Sequence, residues 1–241
     1  MRGISLNPFK SPLMVDAVLR GWQSVPAPVI HNLQKARVLK LLFWHCAVDQ
    51  LPGNYIEFGV AHGHSMRAAY LAQKSAFSKT IGVKKVPRRL IGFDTFSKFV
   101  SNSDLDKHST WDGDLFNLPL EVIERRFRKH SNVSFVKCDA STLANEKTFI
   151  AQEEFGIEGK SAIILFDMDL YAPTLAALRW SKQSLQQGTF LIFDEYFSFA
   201  GNSDKGESLA FKEFLLENSH IEAREVDTYG AGGKIFVVSK C

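Results

Sequence analysis

The sequence predicts an α/β fold: a mostly parallel sheet with helices on both faces, ending in one antiparallel hairpin strand. Three observations carry this. Short apolar runs recur from Tyr55 onward as "YIEFGV" (55–60), "RLIGFD" (89–94), "VSFVKCD" (133–139), "SAIILFD" (161–167) and "TFLIFDEY" (189–196). Segments of helical periodicity separate them, and strands alternating with helices argue a parallel sheet covered on both faces. The ending breaks that rhythm: "IEAREVD" (221–227) and "GKIFVVSK" (233–240) flank the glycine-rich turn "YGAGG". Two strands joined so tightly must be antiparallel neighbours.

Taken in order, residues 1–30 read as irregular, with Pro8, Pro12, Pro26 and Pro28. "HNLQKARVLKLLFWHCAVDQ" (31–50) places apolar residues at helical spacing, and "PG" at 52–53 ends it. Residues 1–50 are therefore expected to be an N-terminal segment and helix, packed on a main domain spanning 51–241. Within that domain, helices are expected at about 65–77, at 118–130 opened by Pro119, shortly after Ser141, at 173–187 stopped by Gly188, and at about 207–218. The segment 96–119 has no periodicity but carries Phe96, Phe99, His108, Trp111 and Phe116. Its length for a compact domain suggests a binding loop or lid walling an acceptor pocket.

Composition excludes several classes. The chain has 241 residues, 45% hydrophobic and 23% charged, with a net charge of only +3. That suits one large soluble domain. The basic clusters "VKKVPRRL" (83–90) and "ERRFRK" (124–129) are short and separate, and read as solvated surface rather than a nucleic-acid stripe. Cys46, Cys138 and Cys241 are scattered without metal or disulfide spacing, which suits a reducing compartment. No secretory signal pattern or membrane-length apolar run is present, so the expectation is a cytoplasmic protein without nucleic-acid or membrane partners. A homo-oligomer stays open.

Ligands of open α/β sheets bind beyond the carboxyl ends of the strands. Here those ends read "EFGVAHGHS", "GFDTF", "VKCDAST", "LFDMDLY" and "IFDEYF", each with an acid. Helix capping explains any one of them, but five on one rim point to ligand chemistry. In "EFGVAHGHS" (57–65), Gly59 and Gly63 let the backbone approach a ligand, and the helix after Ser65 offers free amides to a negative group. The spacing is not GxGxxG. A pyrophosphate fits poorly, and a carboxylate-bearing ligand such as the methionine part of S-adenosylmethionine fits better. Asp94 stands where an acid takes two ribose hydroxyls. Asp139 is placed either to accept from an adenine amino group or to cap the helix it shares with Ser141.

"YIEFGVAHGHS", "IGFDTF", "FDMDLYAPT" and "GTFLIFDEY", in this order and spacing, resemble the macrocin O-methyltransferase family over about residues 54–215. That family is class I, dependent on S-adenosylmethionine and a metal, and methylates sugar hydroxyls in natural-product pathways. A sheet closing with one antiparallel hairpin strand is the class I arrangement. The resemblance assigns Glu57, Gly59 and Asp94 to cofactor binding, and Asp167, Asp169 and Asp194 to the metal and reacting-hydroxyl region. Departures lie at Ala61, His62 and His64 in the turn, at Ser97 and Lys98 after "FDTF", and at Glu195 where the family has a second Asp.

The residues suggest chemistry of their own. Asp167 and Asp169 lie two apart as a strand unravels, and the next strand delivers Asp194 and Glu195 to the same rim. Carboxylates converging without a cation raise each other's pKa, and a divalent ion removes the conflict. With oxygen donors and no nearby Cys, Mg²⁺ or a similar hard ion is expected on Asp167, Asp169, Asp194 and Glu195. Methyl transfer needs a positioned acceptor and a base. Asp169 is the expected base, ahead of His62, His64 and His108. The expected cofactor-facing set is Glu57, Gly59, Gly63, Ser65, Asp94, Asp139 and Asp167, with a small, sugar-containing acceptor. His31, His45, His130 and His220 are expected to be surface or core residues. A nicotinamide-dependent oxidoreductase would need a tighter glycine fingerprint and has no use for the acids. A non-catalytic module keeping the fold would explain the changes at 61–64 and at Glu195.

Overall fold

Strands β1 (Asn54–Phe58), β2 (Leu90–Asp94), β3 (Val133–Lys137), β4 (Ser161–Phe166), β5 (Phe190–Phe193), β6 (Glu222–Tyr229) and β7 (Gly233–Lys240) form one sheet in the order β3-β2-β1-β4-β5-β7-β6. The first five are mutually parallel, and β7 runs antiparallel between β5 and β6. The sequence foretells the hairpin but not that its second strand is the one inserted beside β5. The computed structural model describes residues 12–79, 88–97, 118–144 and 149–241. Most of the expected acceptor loop, including Phe99, His108, Trp111 and Phe116, lies outside these residues.

Each face of the sheet carries its own core. On one, Ile56, Phe58, Ile91, Phe93, Ile164, Phe166, Leu191 and Phe193 pack under helices α5 (Tyr171–Ser181) and α6 (Gly206–Glu217). Phe93, Phe58, Phe166 and Phe193 stack in a row across four strands, with centroids 5.0–5.5 Å apart. Trp180 of α5 sets its edge against Phe58 and Phe93 and donates its indole N–H to Ile150 O at 2.7 Å. On the other face, Tyr55, Leu90, Ile163, Leu165 and Ile192 lie under α2 (Ala27–Val48), α3 (His64–Lys79) and α4 (Leu120–Phe127). The strict alternation of the two sets along β1 is the period-2 geometry of a strand.

The N-terminal region differs from expectation. Residues read as irregular hold a helix, α1 (Pro12–Gln23), which buries none of its residues, and α2 begins at Ala27 rather than His31. The prolines misled the reading. Pro12 opens α1, Pro26 caps α2 and Pro28 lies in its first turn, where the missing N–H has no acceptor to lose. His31 and Lys35 lie one turn apart on one face of α2. The element after Asp139 is only a 3₁₀ turn (Ala140–Thr142), and α5 yields to a 3₁₀ turn at Lys182. A second correction concerns Arg88, read as solvated. It is buried and donates to the carbonyls of Gly53 at 2.7 Å and Leu51 at 2.5 Å. No helix among the described residues is long and apolar enough to cross a membrane.

Because Trp180 is fully buried against the rings of Phe58, Phe93 and Phe155, Trp180→Ala is expected to cost about 3–5 kcal/mol. Urea unfolding followed by far-UV circular dichroism measures it.

Candidate active site

Strand order reverses between β1 and β4, so a ligand crevice is expected outside their carboxyl ends. There the chain is tightly built. A Cβ on Gly59 would sit 1.8 Å from the carbonyl oxygen of Asp167, and Gly59 has φ +88°. Only glycine lets β1 and β4 end side by side. The next two amides, of Val60 and Ala61, both donate to Asp94 Oδ2 at 2.8 Å, and the Phe96 amide donates to Asp94 Oδ1 at 2.8 Å. Asp94, expected on the ribose, thus clamps the glycine turn to the end of β2 in this state.

Three other expected cofactor residues sit deeper than the rim. Glu57 is fully buried and accepts from Tyr55 Oη at 2.5 Å and Ser65 Oγ at 2.6 Å. Ser65 is therefore turned inward, bracing α3 against β1. Gly63 (φ +74°) backs onto the Phe127 ring, which a Cβ would meet at 3.2 Å. Asp139 caps the 3₁₀ turn, accepting from the Ser141 amide at 3.0 Å and the Ser141 hydroxyl at 2.7 Å. His62 and His64 lie exposed on the turn, their rings 5.9 Å apart.

The acids after β4 and β5 meet two helix residues that the sequence reading placed elsewhere or passed over. Lys35 Nζ donates to Asp167 Oδ2 at 2.7 Å and to Asp194 Oδ2 at 2.6 Å. His31, read as surface or core, directs Nε2 at both Asp194 oxygens, 3.0 and 3.1 Å away. Its Nδ1 accepts from the Ala231 amide at 3.1 Å, which makes Nε2 the protonated nitrogen. Tyr229, at the end of β6, donates its hydroxyl to Asp194 Oδ1 at 2.5 Å. A usable signal did exist: Lys35 lies in register with Val38, Leu39, Leu42 and Cys46, so a cation stands on the buried stripe of α2. Tyr229 was assigned to the turn, and no local pattern marks it.

Asp169 follows in a left-handed conformation, φ +65°, which aspartate tolerates better than most residues. Glu195 gives its amide to Glu207 Oε2 at 2.9 Å and accepts from Ser198 Oγ at 3.2 Å. Glu207, at the start of α6, is fully buried, and its other oxygen has no partner among the described residues. Tyr171 turns away to Glu213 of α6.

Charge divides these carboxyls into two kinds. Burial alone would raise Asp194, but Lys35 and the His31 hydrogen bond overcome it and hold it well below the carboxylate range. For Lys35, the attraction of both aspartates likewise outweighs burial and keeps the ammonium charged. Asp169 and Glu207 are pushed well above their ordinary range, by burial first and then by neighbouring acids. Glu195 is pushed up to about 7 by burial and by Asp194 and Asp167. The hydrogen bond to Asp194 raises His31.

A divalent ion does not fit the expected donor set while Lys35 stays in place. A carboxylate offers about four lone-pair sites, and Asp194 already faces His31, Lys35 and Tyr229. The oxygens of Asp167 and Asp194 that would converge on an ion converge on an ammonium instead.

Fold and rim together define a class I methyltransferase: a parallel sheet closed by one antiparallel strand, with a glycine turn at the switch point and acids at the strand ends. The sequence model of the Macrocin-O-methyltransferase (TylF) family matches residues 30–213, so the chain belongs to that family and is an S-adenosylmethionine-dependent O-methyltransferase. The O-methyltransferase NovP is 17% identical with a TM-score of 0.63, over 85% of this chain and 79% of NovP. CalS11, a calicheamicin methyltransferase, is 21% identical with a TM-score of 0.62, over 95% of this chain and 93% of CalS11. The apo structure of CalS11, titled a TDP-rhamnose 3'-O-methyltransferase, is 19% identical with a TM-score of 0.54, over 95% and 88%. At these identities the likeness is one of fold. No curated protein sequence matches the chain.

Burial pushes Glu57 up to about 8, against the pull of the Ser65 and Tyr55 hydroxyls. The folded protein then keeps a proton that the unfolded chain releases near pH ~4.3. Stability from this group is complete below that value and is lost as pH rises toward the folded pKa, by up to about 1.4 kcal/mol per pH unit. Glu57→Gln is expected to flatten the fall between about pH 5 and 8, measured by urea unfolding at each pH.

Proposed function

We propose that the protein methylates a hydroxyl of a glycosyl or similar small hydroxylated acceptor, with Asp169 as the base. The observation that carries this reading is the setting of Asp169. The turn after β4 holds it at φ +65° beside Asp167, Asp194 and Glu195, and burial with these acids raises its carboxyl well above the ordinary range, so it takes a proton more readily than a free aspartate. Family membership supports the transfer chemistry, and the sugar substrate named for CalS11 supports the acceptor class.

S-adenosylmethionine brings an already activated methyl group, so the chain's task is to position, desolvate and deprotonate. The first amides of α3 would take the amino-acid end, where free N–H groups favour a carboxylate, while the Gly59–Ala61 turn, its amides held by Phe93 and Asp94, lets the backbone pass close to it. Asp94 would share its oxygens between the turn amides and the ribose, and Asp139 keeps an oxygen clear of Ser141 for the adenine amino group. As the acceptor oxygen forms its bond to the methyl carbon and the carbon–sulfur bond breaks, Asp169 takes the hydroxyl proton. Lys35 and His31 hold Asp194 ionised alongside, and Lys35 opposes the burial and the Asp194 charge that push Asp167 up to about 6. No step passes through a metal, since Lys35 engages one oxygen each of Asp167 and Asp194, two of the four acids expected to hold one.

Two outcomes are expected. Calorimetry should show S-adenosylmethionine, or its demethylated product, binding far more tightly than NAD, because the turn lacks the close glycine spacing of a pyrophosphate cradle. Comparable NAD binding would remove the class assignment. Asp169→Asn should keep S-adenosylmethionine affinity and lose about 10²–10⁴-fold in turnover, read with radiolabelled S-adenosylmethionine over a panel of glycosylated acceptors. An Asp169→Asn variant as active as wild type means that the base lies elsewhere.

A further inference from the structure

Lys35 is a fixed cation where the acids of this rim would otherwise need a mobile one. Its ammonium lies 2.7 Å from Asp167 Oδ2 and 2.6 Å from Asp194 Oδ2, so one positive group bridges the carboxylates that follow β4 and β5. These two acids come from adjacent parallel strands, and without a cation between them they would repel at short range. Lys35 is buried, only 4% exposed. Its aliphatic stem comes off the stripe of α2 that also buries Val38, Leu39 and Leu42, so the helix delivers the charge from a rigid base. Asp194 is completed by His31 Nε2 and Tyr229 Oη, which leaves it enclosed by protein donors.

We propose that Lys35 permanently occupies the position of the divalent cation between Asp167 and Asp194, and that this methyltransferase works without a bound metal ion. The proposal rests on the reading of this rim as the methyl-transfer site, but its test does not depend on turnover. Lys35 is a positioning residue. It neutralises and orients Asp167 and Asp194, and Asp169 remains the group that meets the acceptor. Of the described residues that can gather three metal-binding atoms, only His31, Asp194 and Glu195 do so. An ion there would have to take Asp194 from the His31 Nε2–H that now donates to it.

The test is a titration of the purified full-length protein with Mn²⁺, followed by electron paramagnetic resonance of the free ion, with Mn²⁺-dependent thermal shift as a second readout. Wild type is expected to bind no Mn²⁺ with a Kd below about 1 mM, and its S-adenosylmethionine isotherm should be unchanged by EDTA. Lys35→Met, which keeps the stem and removes the charge, should gain one Mn²⁺ site at least about 10-fold tighter than wild type and be stabilised by Mn²⁺. Lys35→Arg, which keeps the charge, should gain none. A stoichiometric, sub-millimolar Mn²⁺ site in wild type that Asp194→Asn abolishes overturns the proposal. So does a folded Lys35→Met protein that gains no site. If Lys35→Met does not fold, the wild-type titration decides alone. Loss of the Asp169 assignment would appear in turnover and leave these Mn²⁺ results untouched.

Discussion

An ammonium group held between two carboxylates ties the N-terminal helix to the sheet at the point where the chain does its chemistry. Removing charges from water is expensive, and mutual attraction offsets it only when geometry is good and further hydrogen bonds satisfy the remaining atoms. Lys35, Asp167 and Asp194 meet that condition, with His31 and Tyr229 completing Asp194. The arrangement joins α2, the ends of β4 and β5, and the last residue of β6. Removing one member of such a group leaves an uncompensated buried charge, which typically costs about 3–5 kcal/mol. The position of α2 and the electrostatics of the rim therefore depend on each other.

The same contact sorts the acids. Asp194 is held ionised because cationic and donor groups surround it, whereas burial, and after it the charges of neighbouring acids, make Asp169, Glu195 and Glu207 keep their protons more readily. Carboxyl groups pushed apart in this way can take different roles at one pH. One stays an anion that anchors the architecture, and another can exchange a proton with substrate. Glu207 extends the acid set into α6, with one oxygen on the Glu195 amide.

The glycine turn is under a similar double constraint. Gly59 must be glycine because β4 passes against it, and the amides beyond it are fixed by Asp94 from β2. Three strands thus converge on one turn, giving a rigid floor for a ligand. The acid at the end of β2 shapes the site before any ligand arrives, and a ligand hydroxyl must share it with the backbone.

The sequence alone determined the layered fold, because strand and helix periods alternate cleanly and the turn at 229–233 forces an antiparallel ending. It also determined that acids crowd the strand ends, since each follows directly from an apolar run, and the spacing of Asp167, Asp169, Asp194 and Glu195 pointed to one rim. It went astray where local signals had two meanings. Prolines read as breakers were helix starters, and a basic cluster read as surface contained the buried Arg88. What answered the acids was decided by tertiary structure. Lys35 and His31 lie more than 130 residues from Asp167 and Asp194 along the chain, and Tyr229 reaches them from the far strand of the hairpin. Charge balance in a folded interior is a long-range property, set by which helix packs over which strand end. The need for a cation could be read from the sequence, but only the packing of α2 on the sheet supplied a lysine to meet it.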